Sequence, residues 1–184
     1  MLEVSRCIKS GALGIGELHP DTQSINLDQF EELNSLMMMI ENFGVPVLIH
    51  ASEPVGHVYP GKGTATPQKL MNLVSTYPNI TFIFAHWGGG LPFYGLMPEV
   101  KIQLRNIFFD TAATTLLYNQ KIFSIIPDIL GAEQVLFGSD YPLVDPKHVL
   151  RQLTSQSDQE VFQLISHGNA ARLLKEIEAK SDPA

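Results

Sequence analysis

The sequence of 184 residues contains one cysteine, Cys7. A single cysteine cannot form an internal disulfide, and it cannot supply a zinc site built from several cysteines. The N-terminus also lacks the basic stretch followed by an apolar segment that marks a secretory signal. Both observations favour a reducing compartment, and we expect a cytoplasmic location.

Basic residues and long apolar runs are also scarce. There are 12 Lys and Arg against 19 Asp and Glu, which gives a formal net charge of −7. Without a basic cluster, nucleic acid and anionic membrane surfaces are not expected partners. The longest apolar runs, such as Val45 to Ile49, are far too short to cross a bilayer. The hydrophobic content of 45% is nevertheless typical of a globular protein with a core, and we expect a single domain over residues 1–184.

Short apolar runs alternate with helix signals along the whole chain. Each run is too short for a helix and is apolar at consecutive positions, as in a parallel strand that is buried on both faces. The alternation predicts βα units and a parallel sheet, either open and doubly wound or part of a closed barrel. The predicted strands are 12–16, 45–49, 80–85, 107–109 and 135–137. The predicted helix starts are Asn26, Thr66-Pro67, Asp145-Pro146 and Ser157, and the predicted helix ends are Gly44 and Gly168.

Each predicted strand is followed by an ionisable residue. In a parallel α/β barrel the carboxyl ends of the strands converge on one rim, where active sites are built. Burying such groups together is unfavourable unless they pair, bind a metal or exchange protons. Imidazole nitrogens and carboxylate oxygens suit Zn²⁺, Mn²⁺ or Fe²⁺, which can activate water for attack. The five residues are Glu17, His50, His86, Asp110 and Asp140.

The roles of these residues differ. His50, His86 and Asp140 are the main candidates for the site, whereas Asp110 is expected to hold its loop by hydrogen bonds. Glu17 either ligates the metal, contacts substrate or pairs with an interior cation. His57 lies in a long Gly/Pro-rich loop, from which it either reaches substrate or remains solvated. Trp87 follows His86 and is a candidate contact to substrate or metal. His19 lies beyond the first strand.

Five segments of the chain carry a resemblance to a known family. Together, and in this order, they resemble the amidohydrolase-related family of metal-dependent hydrolases. That family also includes non-oxidative decarboxylases similar to aminocarboxymuconate-semialdehyde decarboxylase. The segments span nearly the whole chain: Gly14–Glu17, Val47–His50, Ala85–Pro92, Leu136–Pro142 and Gly168–Leu174.

The resemblance implies a (β/α)8 TIM-barrel fold, a divalent metal and a small-molecule substrate. It implies that His50 is a metal ligand and that Asp140 is a metal ligand and a proton acceptor. His86 matches a histidine that shuttles a proton in the decarboxylases and binds metal in other branches. Asn169 matches the cap of the C-terminal helix. The metal expected first is Zn²⁺, with Mn²⁺ or Fe²⁺ as alternatives.

The chain departs from the family at its beginning. The family's first strand carries His-x-His, which supplies two metal ligands, and this chain has no such pair. Its 184 residues also fall below the roughly 200 that an eight-unit barrel needs. We therefore expect an incomplete barrel of about five C-terminal βα units, with open strand edges that favour a homo-oligomer or another partner chain. Three functions stay open: hydrolysis of a C–N or C–O bond, metal-assisted decarboxylation, or an inactive fragment or interaction module that completes a barrel with another chain.

Overall fold

The structure, a computed structural model, describes residues 2–181 and contains one parallel sheet. Its strand order follows the chain, β1-β2-β3-β4-β5. The fold prediction of successive βα units is therefore confirmed. The strands are β1 (Ile15–Leu18), β2 (Val47–Ile49), β3 (Phe82–Phe84), β4 (Ile107–Asp110) and β5 (Val135–Leu136).

Helices precede, separate and follow these strands. The helices are α1 (Leu2–Lys9), α2 (Phe30–Phe43), α3 (Pro67–Thr76), α4 (Ala85–Gly88), α5 (Pro98–Gln103), α6 (Thr114–Leu117), α7 (Ile122–Leu130), α8 (Pro146–Gln156), α9 (Gln159–Gln163) and α10 (Asn169–Ser181). Short 3-10 turns lie at Leu91–Leu96, Leu104–Asn106 and Ala132–Gln134, and a π-helical turn covers Leu164–Gly168. Across residues 2–181, none of these helices combines the length and apolarity that crossing a bilayer requires.

The core lies where the central strands pack against the helices. Phe82 and Phe84 of β3 are fully buried and lie within ring-stacking distance of one another, and Phe84 also contacts Phe109 of β4. Ile107, Phe108 and Phe109 are buried consecutively on β4, which explains why this strand reads as a continuous apolar run rather than as an alternating pattern. The core thereby fixes the carboxyl ends of β2, β3 and β4 beside one another.

The first strand and helix α2 begin later than predicted. β1 begins at Ile15, whose N–H donates to the carbonyl of Pro46, so Glu17 lies within the strand rather than after it. Helix α2 begins at Phe30 rather than near Asn26. The Asn26 side chain instead accepts a bond from the N–H of Asp28, which stabilises a turn that competes with helix formation.

Of four other predicted helix boundaries, three are confirmed and one is wrong. Gly44 adopts a left-handed conformation and ends α2, and Thr66-Pro67 and Asp145-Pro146 begin α3 and α8, as predicted. Ser157 does not begin a helix, because Asp158 caps α9 by accepting from the N–H of Val161.

Asn169 is not a helix cap. Gly168 does not end its helix either, because the chain continues through the π-helical turn into α10 and Asn169 has helical dihedral angles. The buried Asn169 side chain donates to the carbonyls of Ala132 and Val135, at 2.8 Å each. It therefore connects α10 to the start of β5.

Candidate metal centre

Three neighbouring strands bring Glu17, His50 and His86 together. Nδ1 of His50 lies 3.0 Å from Oε1 of Glu17 and 3.2 Å from Nε2 of His86. One ligand atom from each residue lies within 4.8 Å of the other two. Both imidazoles are buried, whereas Glu17 is partly exposed. These are donor types that bind divalent transition metals.

The hydrogen bonds indicate where the protons of the neutral imidazoles lie. Nδ1 of His86 lies 3.3 Å from the carbonyl of Ala112, which can only accept, so this nitrogen carries the proton and Nε2 offers a lone pair. The Glu17 carboxylate also only accepts, so Nδ1 of His50 donates to it. The His50 proton thus faces two acceptor atoms, Oε1 of Glu17 and Nε2 of His86. A cation in place of this proton would have three ligand atoms: Nδ1 of His50, Oε1 of Glu17 and Nε2 of His86.

A buried carboxylate fixes the position of His86. His86 has a left-handed backbone (φ 55°, ψ 46°), which is unusual for a residue other than glycine. Oδ1 of Asp110 accepts from the backbone N–H groups of His86 and Ala112, at 2.9 Å each. Burial raises the pKa of Asp110 above its ordinary value, while the charge of His86 and these two donors act in the opposite direction. Asp110 therefore holds the turn that presents His86, as expected from the sequence.

The charge of Glu17 is stabilised by its surroundings. The hydrogen bond with His50 is the main cause that lowers the pKa of Glu17, and burial opposes it. Positive charge on His86, His50 or His19 would lower this pKa further. Glu17 is consequently ionised at neutral pH, the form that ligates metals.

The cluster lies at the wall of a cavity of about 590 Å³. Ala113, Leu116, Leu117 and Leu143 form an apolar part of the lining. Residues of the β2–α3 connection form another part. Cavities of this size accept small molecules. The remaining lining residues are Glu17, His19, His50, His57, Tyr59, Pro60, Gly61, His86 and Asp140.

His19 is a site residue that the sequence reasoning did not select. Its ring stacks on His50 with 4.1 Å between centroids and an interplanar angle of 19°. Its Nε2 lies 3.2 Å from the carbonyl of Gly61. A usable signal was present, because Glu17 and His19 are two apart and alternate residues of a strand share a face.

The loop that carries His57 is held by its own polar groups. The Tyr59 hydroxyl donates to Oε2 of Glu53 at 2.9 Å, and burial, followed by this carboxylate, raises the pKa of Tyr59. Lys62 donates to the carbonyls of Val55 and His57. The side chain of His57 is exposed and lines the cavity, so a contact to substrate and a solvated position both stay predictions.

Asp140 and Trp87 lie in different surroundings. Asp140 lines the cavity from a left-handed backbone position (φ 69°), outside the cluster of three donors. Trp87 is fully buried, and its indole N–H donates to Oγ1 of Thr114 at 2.8 Å. Its ring packs edge-on against Phe123, and it does not line the cavity.

Residues 2–175 match the amidohydrolase family. The chain belongs to this family. Among curated proteins, a 2-keto-4-carboxy-3-hexenedioate hydratase from Sphingobium sp. is 27% identical, with 74% of this chain and 48% of the hydratase covered. The amidohydrolase chain thus spans about half the length of this curated relative.

Solved structures share the fold. An uncharacterised TIM-barrel protein from Bordetella bronchiseptica superposes with a TM-score of 0.76 at 20% identity, covering 97% of this chain and 62% of its own. A dihydroxybenzoic acid decarboxylase from Polaromonas sp., with bound manganese and the inhibitor 2-nitroresorcinol, gives a TM-score of 0.62 at 20% identity, covering 95% and 64%. These similarities confirm the TIM-barrel type of the amidohydrolase chain.

Proposed function

We propose that this chain carries the metal site of a hydrolase that uses one divalent ion to cleave a C–N or C–O bond in a small substrate. The observation that carries the proposal is the position of His50 Nδ1, which lies 3.0 Å from Oε1 of Glu17 and 3.2 Å from Nε2 of His86. Bound there, the ion would supply acidity to a water molecule, whose pKa falls towards neutrality in favourable sites. Zn²⁺ is the metal proposed first, with Mn²⁺ or Fe²⁺ as alternatives.

The residues of the chain take distinct roles in this proposal. Glu17, His50 and His86 would hold the ion, and Asp140 would accept a proton from the water that the ion makes more acidic. The assignment made from sequence differs: His50 and Asp140 hold the ion and His86 transfers the proton. Both versions use side chains that line the same cavity, and variants at Asp140 distinguish them.

The residues that line the cavity indicate which kind of substrate it would bind. Leu116, Leu117 and Leu143 suit an apolar or planar body, and His57 and Tyr59 offer polar contacts. Among the described residues that line the cavity, none is Lys or Arg. A negatively charged group of the substrate would therefore depend on the metal or on a histidine for its counter-charge.

Decarboxylation is the second candidate. It is favoured by the apolar wall beside the donor cluster and by the fold shared with a manganese-containing dihydroxybenzoic acid decarboxylase. In that case the cavity would bind a carboxylic acid, and His86 would deliver a proton to the carbon that loses carbon dioxide. The third candidate, an inactive fragment or a module that completes a barrel with another chain, follows from the missing His-x-His pair.

Metal analysis tests the proposal directly. We expect the purified chain to bind one Zn²⁺ or Mn²⁺ in isothermal titration, and His50→Ala and Glu17→Gln to weaken that binding at least tenfold. Asp140→Asn should retain binding if it is the proton acceptor and lose it if it is a ligand. His148→Ala, an exposed position on α8, is the matched control. Equal binding by wild type, His50→Ala and Glu17→Gln would overturn the metal site.

A further inference from the structure

We infer that Ser52 is a positioning residue that holds the imidazole ring of His50 at Nε2 and thereby directs Nδ1 towards the metal; the inference rests on the proposed metal site. Oγ of Ser52 lies 3.3 Å from Nε2 of His50. This is the nitrogen that faces away from Glu17 and His86. Ser52 is fully buried, so no bulk water replaces it as the partner of that nitrogen.

The hydroxyl can serve His50 in both of its states. Without metal, Nδ1 donates to Glu17, so Nε2 of the neutral ring is an acceptor and the Ser52 hydroxyl donates to it. If Nδ1 ligated a cation, the neutral ring would carry its proton on Nε2, and the same oxygen could accept a hydrogen bond from it. A hydroxyl is one donor and two acceptor lone pairs, so Ser52 can follow this exchange by rotation about its C–O bond. An imidazole that binds a metal commonly has such a partner at its other nitrogen.

Backbone groups around Ser52 use part of its hydrogen-bonding capacity and hold it in place. The N–H of Gly63 donates to Oγ of Ser52 at 2.9 Å, and this occupies one lone pair permanently. The Ser52 backbone N–H donates to the carbonyl of Ala65, which fixes the residue in the loop. The Tyr59 side chain is a further hydrogen-bond neighbour of Ser52, so the remaining capacity of the hydroxyl is shared between Tyr59 and His50. Ser52 therefore joins the ligand on β2 to the base of the loop that lines the cavity.

The first test needs no metal. In metal-free wild type at about pH 8, the ¹⁵N chemical shift of His50 Nε2 should be that of an imidazole nitrogen that accepts a hydrogen bond. Ser52→Ala should move this shift to that of a nitrogen without a hydrogen bond, and Ser52→Thr should restore the wild-type value. An unchanged Nε2 shift in Ser52→Ala would overturn the inference. This readout holds even if the metal site itself proves wrong.

The second test measures affinity for Zn²⁺ by competition with a chelator. Ser52→Ala should weaken binding about 10–100-fold, and Ser52→Thr should remain within about threefold of wild type. Asp21→Ala is the control, because Asp21 anchors the same loop at Thr64 without contacting His50. Equal weakening by Asp21→Ala would assign the effect to the loop and overturn the inference. If Ser52→Ala does not fold, Ser52→Cys, with a weaker hydrogen-bonding group of similar shape, takes its place in both tests.

Discussion

Asp21 binds Thr64 through both of its carboxylate oxygens. Oδ2 accepts from the backbone N–H of Thr64 at 2.8 Å, and Oδ1 accepts from its hydroxyl at 2.9 Å. The two residues are 43 positions apart, so this pair connects the segment after β1 to the base of the β2–α3 loop. Through that connection, the positions of His19 and of the cavity wall become linked.

The Asp21–Thr64 pair predicts a pH-dependent contribution to stability. Burial raises the pKa of Asp21, but the two bonds from Thr64 and the charge of His19 outweigh it, so the folded pKa lies below 3.8. The contribution is therefore present above the unfolded pKa and is lost as the pH falls through the folded one. We expect Asp21→Asn to melt below wild type at pH 7, and the gap to close as the pH falls below the folded pKa of Asp21.

Calorimetry across this range checks the prediction. Asp128→Asn, on an exposed face of α7, is the control, and its melting temperature should follow wild type at each pH. A melting gap for Asp21→Asn that persists at low pH would show that the pair acts through shape rather than through charge.

Substitution of Asn169 is expected to lower the stability of the fold without changing the metal site. Asn169→Ala leaves the carbonyls of Ala132 and Val135 without their donor in a buried place, which should lower the free energy of unfolding by about 1–3 kcal/mol. Urea denaturation measures this change. Asn34→Ala, on an exposed position of α2, should stay within about 0.5 kcal/mol of wild type. A cap role for Asn169 would instead predict that Ser or Asp at position 169 restores stability.

A substitution at Trp87 distinguishes a structural role of this residue from a role in the metal site. Trp87→Phe removes the donor to Thr114 and part of the packing on Phe123, so unfolding should become easier by about 2–4 kcal/mol. Affinity for Zn²⁺ should stay within threefold of wild type. A much larger loss of affinity with little loss of stability would return Trp87 to the candidates for contact with substrate or metal. Tyr94→Phe, at a half-exposed position, controls for the change of ring.

The two edge strands predict association. Within residues 2–181, β1 and β5 each pair with one neighbouring strand only, which leaves a row of backbone donors and acceptors on the other side. We expect the purified 20.4 kDa chain to elute from a size-exclusion column as an oligomer or aggregate at micromolar concentration. Elution as a stable monomer over a tenfold range of concentration would contradict the prediction.

The sequence predicts the strands better than the connections between them. Val47–Ile49 lies within a predicted apolar run, and Ile107–Asp110 extends one residue beyond its run, since burial leaves a strong signal. The strand-end rule therefore finds His50 and His86. His19 has a signal in its spacing from Glu17, although its contact with Gly61 depends on the long loop. The role of Ser52 could not be predicted, because it depends on Gly63, which comes close only after that loop folds back. The role of Asn169 was predicted wrongly for the same reason, since its hydrogen-bond partners are more than 30 residues away in the chain.

The strand order has a consequence for assembly. Every strand pairs with its immediate predecessor in the chain, and Glu17, His50 and His86 lie on or directly after the first three. All three donors are therefore synthesised before β4 and β5. The later units supply Asp110, the Ala112 carbonyl and the leucine wall. Synthesis would thus deliver the ligands first and the groups that orient and enclose them afterwards.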